Sequence, residues 1–200
     1  MLYSNKMSSK IVELASQNND DVKKNADIYV YLVNSILEQT IFFVTLLIIG
    51  LFLHNIIFNL LFFIIFFTYR GTGGGYHASS PILCTILSYT AYFAVYIFCF
   101  KIRLTKSTFT LILYILAVIF MLICPFSDCK NRRRTEEQKK SLKSKQIIFI
   151  TAFSLVGFIF YCVNKFLYFK LIMISTYIIC ITQAIGFIQM RIDKGGFYDF

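Results

Sequence analysis

The sequence predicts an all-α polytopic integral membrane protein, and three observations lead to this fold class. Hydrophobic residues make up 58% of the 200 residues, including 23 Phe and 13 Tyr. A soluble fold of this length cannot bury so much apolar surface. The apolar residues also cluster into six stretches, and a helix of ~20 such residues crosses a bilayer. We expect residues 1–200 to form a single membrane-embedded domain.

Residues 1–35 are predicted to lie at the membrane surface, ahead of the first span. Met7, Ile11 and Leu14 recur at helical spacing between charged and polar residues, which predicts a short amphipathic helix in the headgroup region. An ordinary surface helix explains the pattern equally well. The chain opens on a polar stretch instead of a short apolar core, so we expect no cleavable signal peptide.

The six apolar stretches are the predicted spans, and the second is the shortest. Its roughly 14 residues are fewer than a full crossing needs, so it is expected either to cross a thinned bilayer or to re-enter it. Only His54 and Asn55 separate the first stretch from the second. The stretches cover residues 36–53, 56–69, 82–100, 108–126, 146–163 and 171–189.

Lysine and arginine predict the orientation of these spans. With the N-terminus inside, most of them lie in the cytoplasmic segments, as the positive-inside rule requires. Both termini, the glycine-rich loop at 70–81 and the basic loop at 127–145 are therefore predicted to be cytoplasmic. A basic rim against anionic lipid also explains the net charge of +10, so no nucleic-acid partner is expected. The residues left outside are Lys101, Arg103, Lys106, Lys165 and Lys170.

The six cysteines lack the spacing of a metal site or a disulfide framework. No C-x-x-C pair is present, and the two histidines, His54 and His77, are predicted to lie on opposite faces of the membrane. We therefore expect no metal and no other cofactor. Cys99, Cys162 and Cys180 lie in apolar runs, as small packing residues do.

A polar, glycine-rich segment between the second and third stretches contains the candidate site. It reads G-T-G-G-G-Y-H-A-S-S-P-I-L-C, with His77 and Cys84 seven residues apart. Pro81 lacks an amide hydrogen and suits the first turn of a helix, so Ser80 is the expected N-cap and Cys84 lies one turn in. His77 then lies on the incoming loop, where it can fold back towards Cys84.

This arrangement suits a thiol nucleophile with a neighbouring base. Unpaired amides at a helix start favour a thiolate, and the imidazole of His77 can move the proton between Cys84 and a leaving amine. Arg70 is a candidate to hold a carboxylate or carbonyl of the substrate. Glu38 and Ser80 are candidates to orient the histidine, although Glu38 also lies near enough to the interface to have no such role.

Several residues of this segment together match a known pattern. They are Arg70, Gly74, Gly75, His77, Ala78, Ser80 and Cys84. The pattern resembles that of the accessory gene regulator protein B family, membrane cysteine endopeptidases that process quorum-sensing peptide precursors in bacteria. The resemblance implies that His77 and Cys84 are catalytic, that Arg70 and Gly75 support activity, and that residues 1–200 form a peptidase domain in the bacterial cell membrane.

The resemblance also implies a reaction and its partners. Cys84 would cleave the C-terminal part of a precursor peptide through a thioester, and a cysteine or serine of the precursor would close a thiolactone or lactone ring. The implied precursor has an amphipathic leader and an acidic tail, and a homodimer is a candidate assembly. The tail would suit the positive charges of Arg132, Arg133 and Arg134 in the basic loop.

Two interpretations from other classes remain open. In a small peptide or solute transporter, the glycine-rich loop would be a gate and the basic loop would only determine topology. In a membrane scaffold or sensor subunit, Cys84 would react no faster than the other cysteines. A chance coincidence of one histidine with one packing cysteine is compatible with either interpretation.

Overall fold

The chain folds into helices throughout the part that the structure describes. The computed structural model describes residues 2–16, 20–73, 81–102, 104–123 and 135–195. Within these ranges there are eight α-helices and no strand, which confirms the predicted all-α class. The helices are α1 (Leu2–Ser16), α2 (Asp20–Lys24), α3 (Ala26–Phe52), α4 (Ile56–Gly73), α5 (Pro81–Phe100), α6 (Thr108–Ile123), α7 (Glu136–Cys162) and α8 (Phe166–Gly195).

Six of these helices correspond to the six predicted apolar stretches. By length and composition, α3, α5, α7 and α8 are able to cross a membrane. The apolar parts of the other two are shorter and cover Ile56–Thr72 in α4 and Thr108–Ile123 in α6. Rows of large apolar side chains remain exposed on the outer faces of these helices, where lipid would cover them. The chain is therefore a polytopic membrane protein.

The second apolar helix is longer than its apolar run. α4 continues through Tyr69 to Gly73, and its 18 residues span about 27 Å at 1.5 Å per residue. Arg70 and Gly71 are helical, so the loop predicted at 70–81 does not begin before residue 74. The helix continues beyond the apolar run because Arg70 can remain helical while its long side chain reaches a polar group.

The basic segment is also partly helical. Residues 136–145 form the first turns of α7, although the sequence predicted a loop over 127–145. The Thr135 hydroxyl accepts a hydrogen bond from the Gln138 amide, and the Gln138 side chain accepts one from the Thr135 amide, which completes a capping box. The helix therefore starts at its cap and not at the first apolar residue. Residues 127–134 lie outside the described residues.

Two tight turns of the same kind reverse the chain between long helices. His54 and Asn164 have positive φ angles of 53° and 61°. Beyond each of them, an amide donates back to a carbonyl five residues earlier: Asn55 to Gly50 at 2.9 Å and Lys165 to Phe160 at 3.0 Å. This is the hydrogen bond of a Schellman motif, which ends a helix on a left-handed residue. The break predicted at His54 is confirmed.

The helix α8 lies at the centre of the bundle. It contacts α4, α5, α6 and α7, and over half of its apolar stretch is buried. Around it, the fully buried rings include Phe62 of α4, Tyr92 of α5 and Phe169 of α8. Aromatic side chains fill the core because each buries a large apolar area and packs edge to face with its neighbours.

The predicted N-terminal helix is present as α1. It packs against α3 and buries Ser8 and Val12, whereas the predicted apolar stripe of Met7, Ile11 and Leu14 is exposed. The helix thus presents one small face to the bundle and its apolar stripe to the surroundings. An apolar stripe in that position is what a helix lying in the headgroup region would present to lipid.

Candidate active site

The described part of the site lies where the end of α4 meets the start of α5. Arg70 is in the last turn of α4, and Cys84 is one turn into α5, which begins at Pro81 as predicted. Nη2 of Arg70 donates a hydrogen bond to Sγ of Cys84, and Nη1 donates to Oγ of Ser88 at 3.0 Å. The sequence predicted that Arg70 holds the substrate; the structure places its guanidinium on the sulfur.

Ser88 is a member of the site that sequence reasoning missed. It is buried, and its hydroxyl donates to the carbonyl oxygen of Cys84 at 3.0 Å while it accepts from Arg70. Cys84 and Ser88 are four residues apart on one helix, so they share a face. This spacing could have indicated Ser88 from the sequence. It identifies Ser88 as a partner of Arg70 only when Arg70 is known to face the same side of α5.

Two further groups interact with Arg70. Its Cζ lies 5.8 Å from the ring centroid of Phe66, within the range of a cation–π contact. The carboxylate of Glu38, half-buried on α3, interacts with it electrostatically. A planar guanidinium held in this way directs its donors at fixed points. The contact therefore places the permanent positive charge of the guanidinium beside Cys84 Sγ, the atom that becomes negative in a thiolate nucleophile.

The structure brings together only some of the predicted site residues. Arg70 contacts Cys84 and interacts electrostatically with Glu38, while the predicted contact of Glu38 with His77 stays a prediction. The predicted approach of His77 to Cys84 and the predicted N-cap at Ser80 stay predictions. The site residues outside the described part of the chain are Gly75, His77, Ser80, Arg132, Arg133 and Arg134.

The other described cysteines differ from Cys84 in their surroundings. Cys84 is half-buried, whereas Cys99 and Cys180 are buried in the core, as predicted for packing residues. The packing prediction is wrong for Cys162, which is exposed at the last residue of α7, because the helix end is not covered by its neighbours. Among the described residues, no three His, Cys, Asp or Glu side chains come together as metal ligands would.

The fold and the site define a class of protein: a polytopic membrane protein with a half-buried thiol held by a guanidinium near a helix start. The chain matches the family model of accessory gene regulator B over residues 4–183 and belongs to that family. Members are peptidase-like and take part in the processing of a quorum-sensing autoinducer. Comparisons with curated proteins and with solved structures found no match to the chain.

Proposed function

We propose that this chain is a membrane cysteine endopeptidase that uses Cys84 to process a quorum-sensing precursor peptide. The observation that supports this most directly is the hydrogen bond from Arg70 to Cys84 Sγ. A cysteine that only packs in an apolar helix gains nothing from such a contact, and a charge within an apolar bundle costs several kcal/mol unless it is paired or has a function.

The first step of the proposed reaction transfers the precursor's acyl group to the enzyme. Sγ of Cys84 attacks the carbonyl carbon of the scissile peptide bond, the C–N bond breaks, and the C-terminal peptide leaves as an amine. His77 takes the thiol proton and delivers it to that amine. Arg70 stabilises the negative charge on sulfur before the attack. The product is a thioester on Cys84.

The second step closes the ring. A cysteine thiol or serine hydroxyl within the precursor attacks the thioester carbonyl, a thiolactone or lactone forms, and Cys84 is released as the thiol. Exchange of one thioester for another is nearly balanced, whereas attack by water would lose the activated acyl group. The site must therefore exclude water between the two steps, and a half-buried sulfur at the start of an apolar helix suits that requirement.

The proposal includes the side of the membrane on which the reaction occurs. The distribution of Lys and Arg supports a cytoplasmic location for both termini and for the loop that contains His77. The assembly proposed by resemblance is a homodimer. Labelling of single cysteines introduced near each terminus with an impermeant maleimide, in intact cells, checks the orientation: no labelling is expected before lysis, and labelling before lysis would contradict it.

An acidic tail of the precursor is the proposed partner of the basic segment. Arg132, Arg133 and Arg134 precede α7, and the exposed Lys140 extends the positive charge into its first turns. Such an attraction acts at long range and weakens with salt. Replacement of the three arginines by glutamine is expected to raise KM with little change in kcat, and processing that is unchanged by these replacements and by salt would rule the pairing out.

The test of the proposed activity is Cys84→Ser in protein reconstituted into vesicles with its precursor peptide. Release of the C-terminal fragment is expected to stop, because a serine hydroxyl is a far weaker nucleophile at neutral pH. Cys162→Ser is the matched control, because it makes the same substitution at an exposed cysteine at the end of α7, away from the proposed site. Fragment release by Cys84→Ser at the wild-type rate would contradict the proposal, whereas a wild-type protein that releases no fragment would favour a transporter.

A further inference from the structure

The central helix α8 carries polar side chains on its buried side. Ser175, Thr176 and Gln183 are each 1% exposed. Thr176 and Gln183 are seven residues apart, close to two full turns, so they lie on the same face of the helix. Polar groups on the most buried helix of an apolar bundle are unfavourable unless they are hydrogen-bonded.

Gln183 differs from Thr176 because its side chain makes no hydrogen bond within the described residues. Thr176 donates to the carbonyl oxygen of Ile172 at 2.8 Å. Within the part of the chain that the structure describes, neither Nε2 nor Oε1 of Gln183 has a hydrogen-bond partner. A primary amide offers two donors and one acceptor oxygen, and leaving all of them unpaired in an apolar interior destabilises the fold. Such a group indicates a partner that binds during function.

Contacts at the far end of the bundle locate Gln183 relative to Cys84. Lys170 of α8 donates from Nζ to the carbonyl oxygen of Cys99 in α5. From this contact, Gln183 lies 13 residues along α8 and Cys84 lies 15 residues back along α5, which correspond to about 20 Å and 22 Å. If α8 and α5 are followed from this contact towards the same end of the bundle, Gln183 and Cys84 reach nearly the same depth.

Contacts of Tyr69 show that the two helices do run in that direction. Tyr69 immediately precedes Arg70 in α4, and its side chain interacts electrostatically with the side chains of Thr176 and Cys180 in α8. Gln183 comes one turn beyond Cys180 on the same face of α8. The end of α4 that supplies the guanidinium to Cys84 therefore lies beside the part of α8 that contains Gln183.

A second amide group, with an unpaired nitrogen, lies at the same depth. Gln146 of α7 is 2% exposed, and its Nε2 has no partner among the described residues. Gln146 lies 16 residues before Cys162 and Gln183 lies 17 residues after Phe166, so each is about 25 Å from the turn that joins α7 to α8. Two buried amide groups at the depth of the thiol match the alternating donors and acceptors of an extended peptide backbone.

We propose that Gln183 is a substrate-binding residue of the Cys84 site, where its Nε2 donates to the carbonyl oxygen of the scissile peptide bond. This inference rests on the proposed function. When Cys84 Sγ attacks the carbonyl carbon, that oxygen becomes an oxyanion, and a donor already held in place stabilises it more than it stabilises the ground state. Oε1 accepts from a neighbouring peptide N–H. Gln183 thereby aligns the peptide for the attack.

The test replaces Gln183 with residues of similar size that lack an amide. Gln183→Met and Gln183→Leu are expected to lower kcat/KM for precursor cleavage at least tenfold, because one oxyanion donor is worth roughly 10²–10³ in rate. Their melting temperatures in detergent are expected to equal or exceed that of the wild type, because an unpaired buried amide has been removed. Ser175→Ala, which removes another unpaired buried group of α8 about 12 Å away, is the matched control with unchanged cleavage.

Three results would overturn the inference, and the third would also contradict the proposed function. Wild-type cleavage by both Gln183 variants, while Cys84→Ala is inactive, removes Gln183 from the site and leaves the proposed function intact. Lower cleavage together with a lower melting temperature in both variants identifies a structural amide instead. Cleavage by Cys84→Ala at the wild-type rate contradicts the proposed function itself, and the role of Gln183 with it.

Discussion

Two polar clusters join α4 to α5, and they differ in role: one stabilises the packing of the helices, and the other contacts the proposed nucleophile. In the first, Asn59 Nδ2 donates to the carbonyl oxygen of Leu46 at 2.7 Å, and the Tyr92 hydroxyl donates to Asn59 Oδ1 at 3.1 Å. Asn59 and Tyr92 are 1% and 0% exposed. This cluster is neutral, closed and fully buried, and it ties three helices together.

In the second cluster, Arg70 donates to Cys84 and Ser88. The cluster carries a formal charge, and its sulfur is only half-buried. A satisfied neutral network in the interior stabilises a single packing arrangement. A charge held against a reachable nucleophile instead changes the reactivity of that nucleophile. The two clusters teach that polar contacts between the same two helices can have different purposes, which substitution should separate.

The largest effect is expected from Arg70→Gln. Loss of the positive charge beside Cys84 should lower precursor cleavage about 100-fold or more and slow alkylation of Cys84 by iodoacetamide, with little change in melting temperature. Arg70→Lys should fall in between, because an ammonium keeps the charge but cannot bridge two acceptors with one planar group. Wild-type cleavage and alkylation by Arg70→Gln would show that the contact has no chemical role.

The next effect concerns two helical glycines, one at each cluster. A Cβ on Gly50 would lie 3.0 Å from Asn59 Nδ2 and 3.0 Å from the Cα of Ile56, whereas a Cβ on Gly71 would meet nothing within 4 Å. Gly50→Ala should lower the free energy of unfolding by about 2 kcal/mol through overpacking. Gly71→Ala should be neutral or stabilising by a few tenths of a kcal/mol, since alanine is the better helix former.

Thermal unfolding of the two variants in detergent checks this prediction. Equal melting temperatures for Gly50→Ala and Gly71→Ala would mean that α3 and α4 separate easily near their turn, and that the closed cluster does not hold them. The Gly50 result matters most because the glycine allows α3 to approach the start of α4 beside Asn59.

A smaller effect is expected from Tyr92→Phe. The change leaves Asn59 Oδ1 without its donor in the interior, so the free energy of unfolding should fall by about 1–2 kcal/mol. Cleavage per folded molecule should stay at the wild-type level, because this cluster takes no part in the reaction. A lower kcat without loss of stability would show that Tyr92 contributes to the reaction, and that the two clusters do not differ in role.

The smallest effect is expected from Ser88→Ala. One hydrogen bond of the guanidinium is lost, and cleavage should fall about threefold to tenfold while the contact of Arg70 with Cys84 persists. The kcat values of Ser88→Ala and Arg70→Gln, measured side by side, rank the serine and the arginine as supports of the Cys84 site. A Ser88→Ala protein as inactive as Arg70→Gln would show that the serine, and not the charge alone, maintains the site.

The sequence predicted the parts of this molecule that depend on local chemistry. Apolar runs identified all six long helices, Pro81 predicted the start of α5, and the two residues at His54 predicted the turn between α3 and α4. Helix ends were predicted less well, because α4 and α7 extend into polar residues that a cap or a distant contact supports. Hydropathy does not report either influence.

The structure describes only some of the predicted site residues, and the contact that it shows for Arg70 differs from the predicted one. The motif identified Cys84 and Arg70, but the role expected for Arg70 was substrate binding, and the structure shows contact with the sulfur. Ser88 and the proposed site residue Gln183 were missed because each is a common polar residue inside an apolar run. Their importance depends on which helices pack together, and that is a property of the tertiary structure.

The most direct test of the account is intact-protein mass spectrometry of the reconstituted protein, quenched in acid shortly after its precursor peptide is added. We expect a species heavier by the acyl part of the precursor, located on the peptide that contains Cys84 and removed by hydroxylamine. Continued release of the C-terminal fragment with no adduct on Cys84 at any time, even in a precursor that lacks the ring-closing residue, would contradict it.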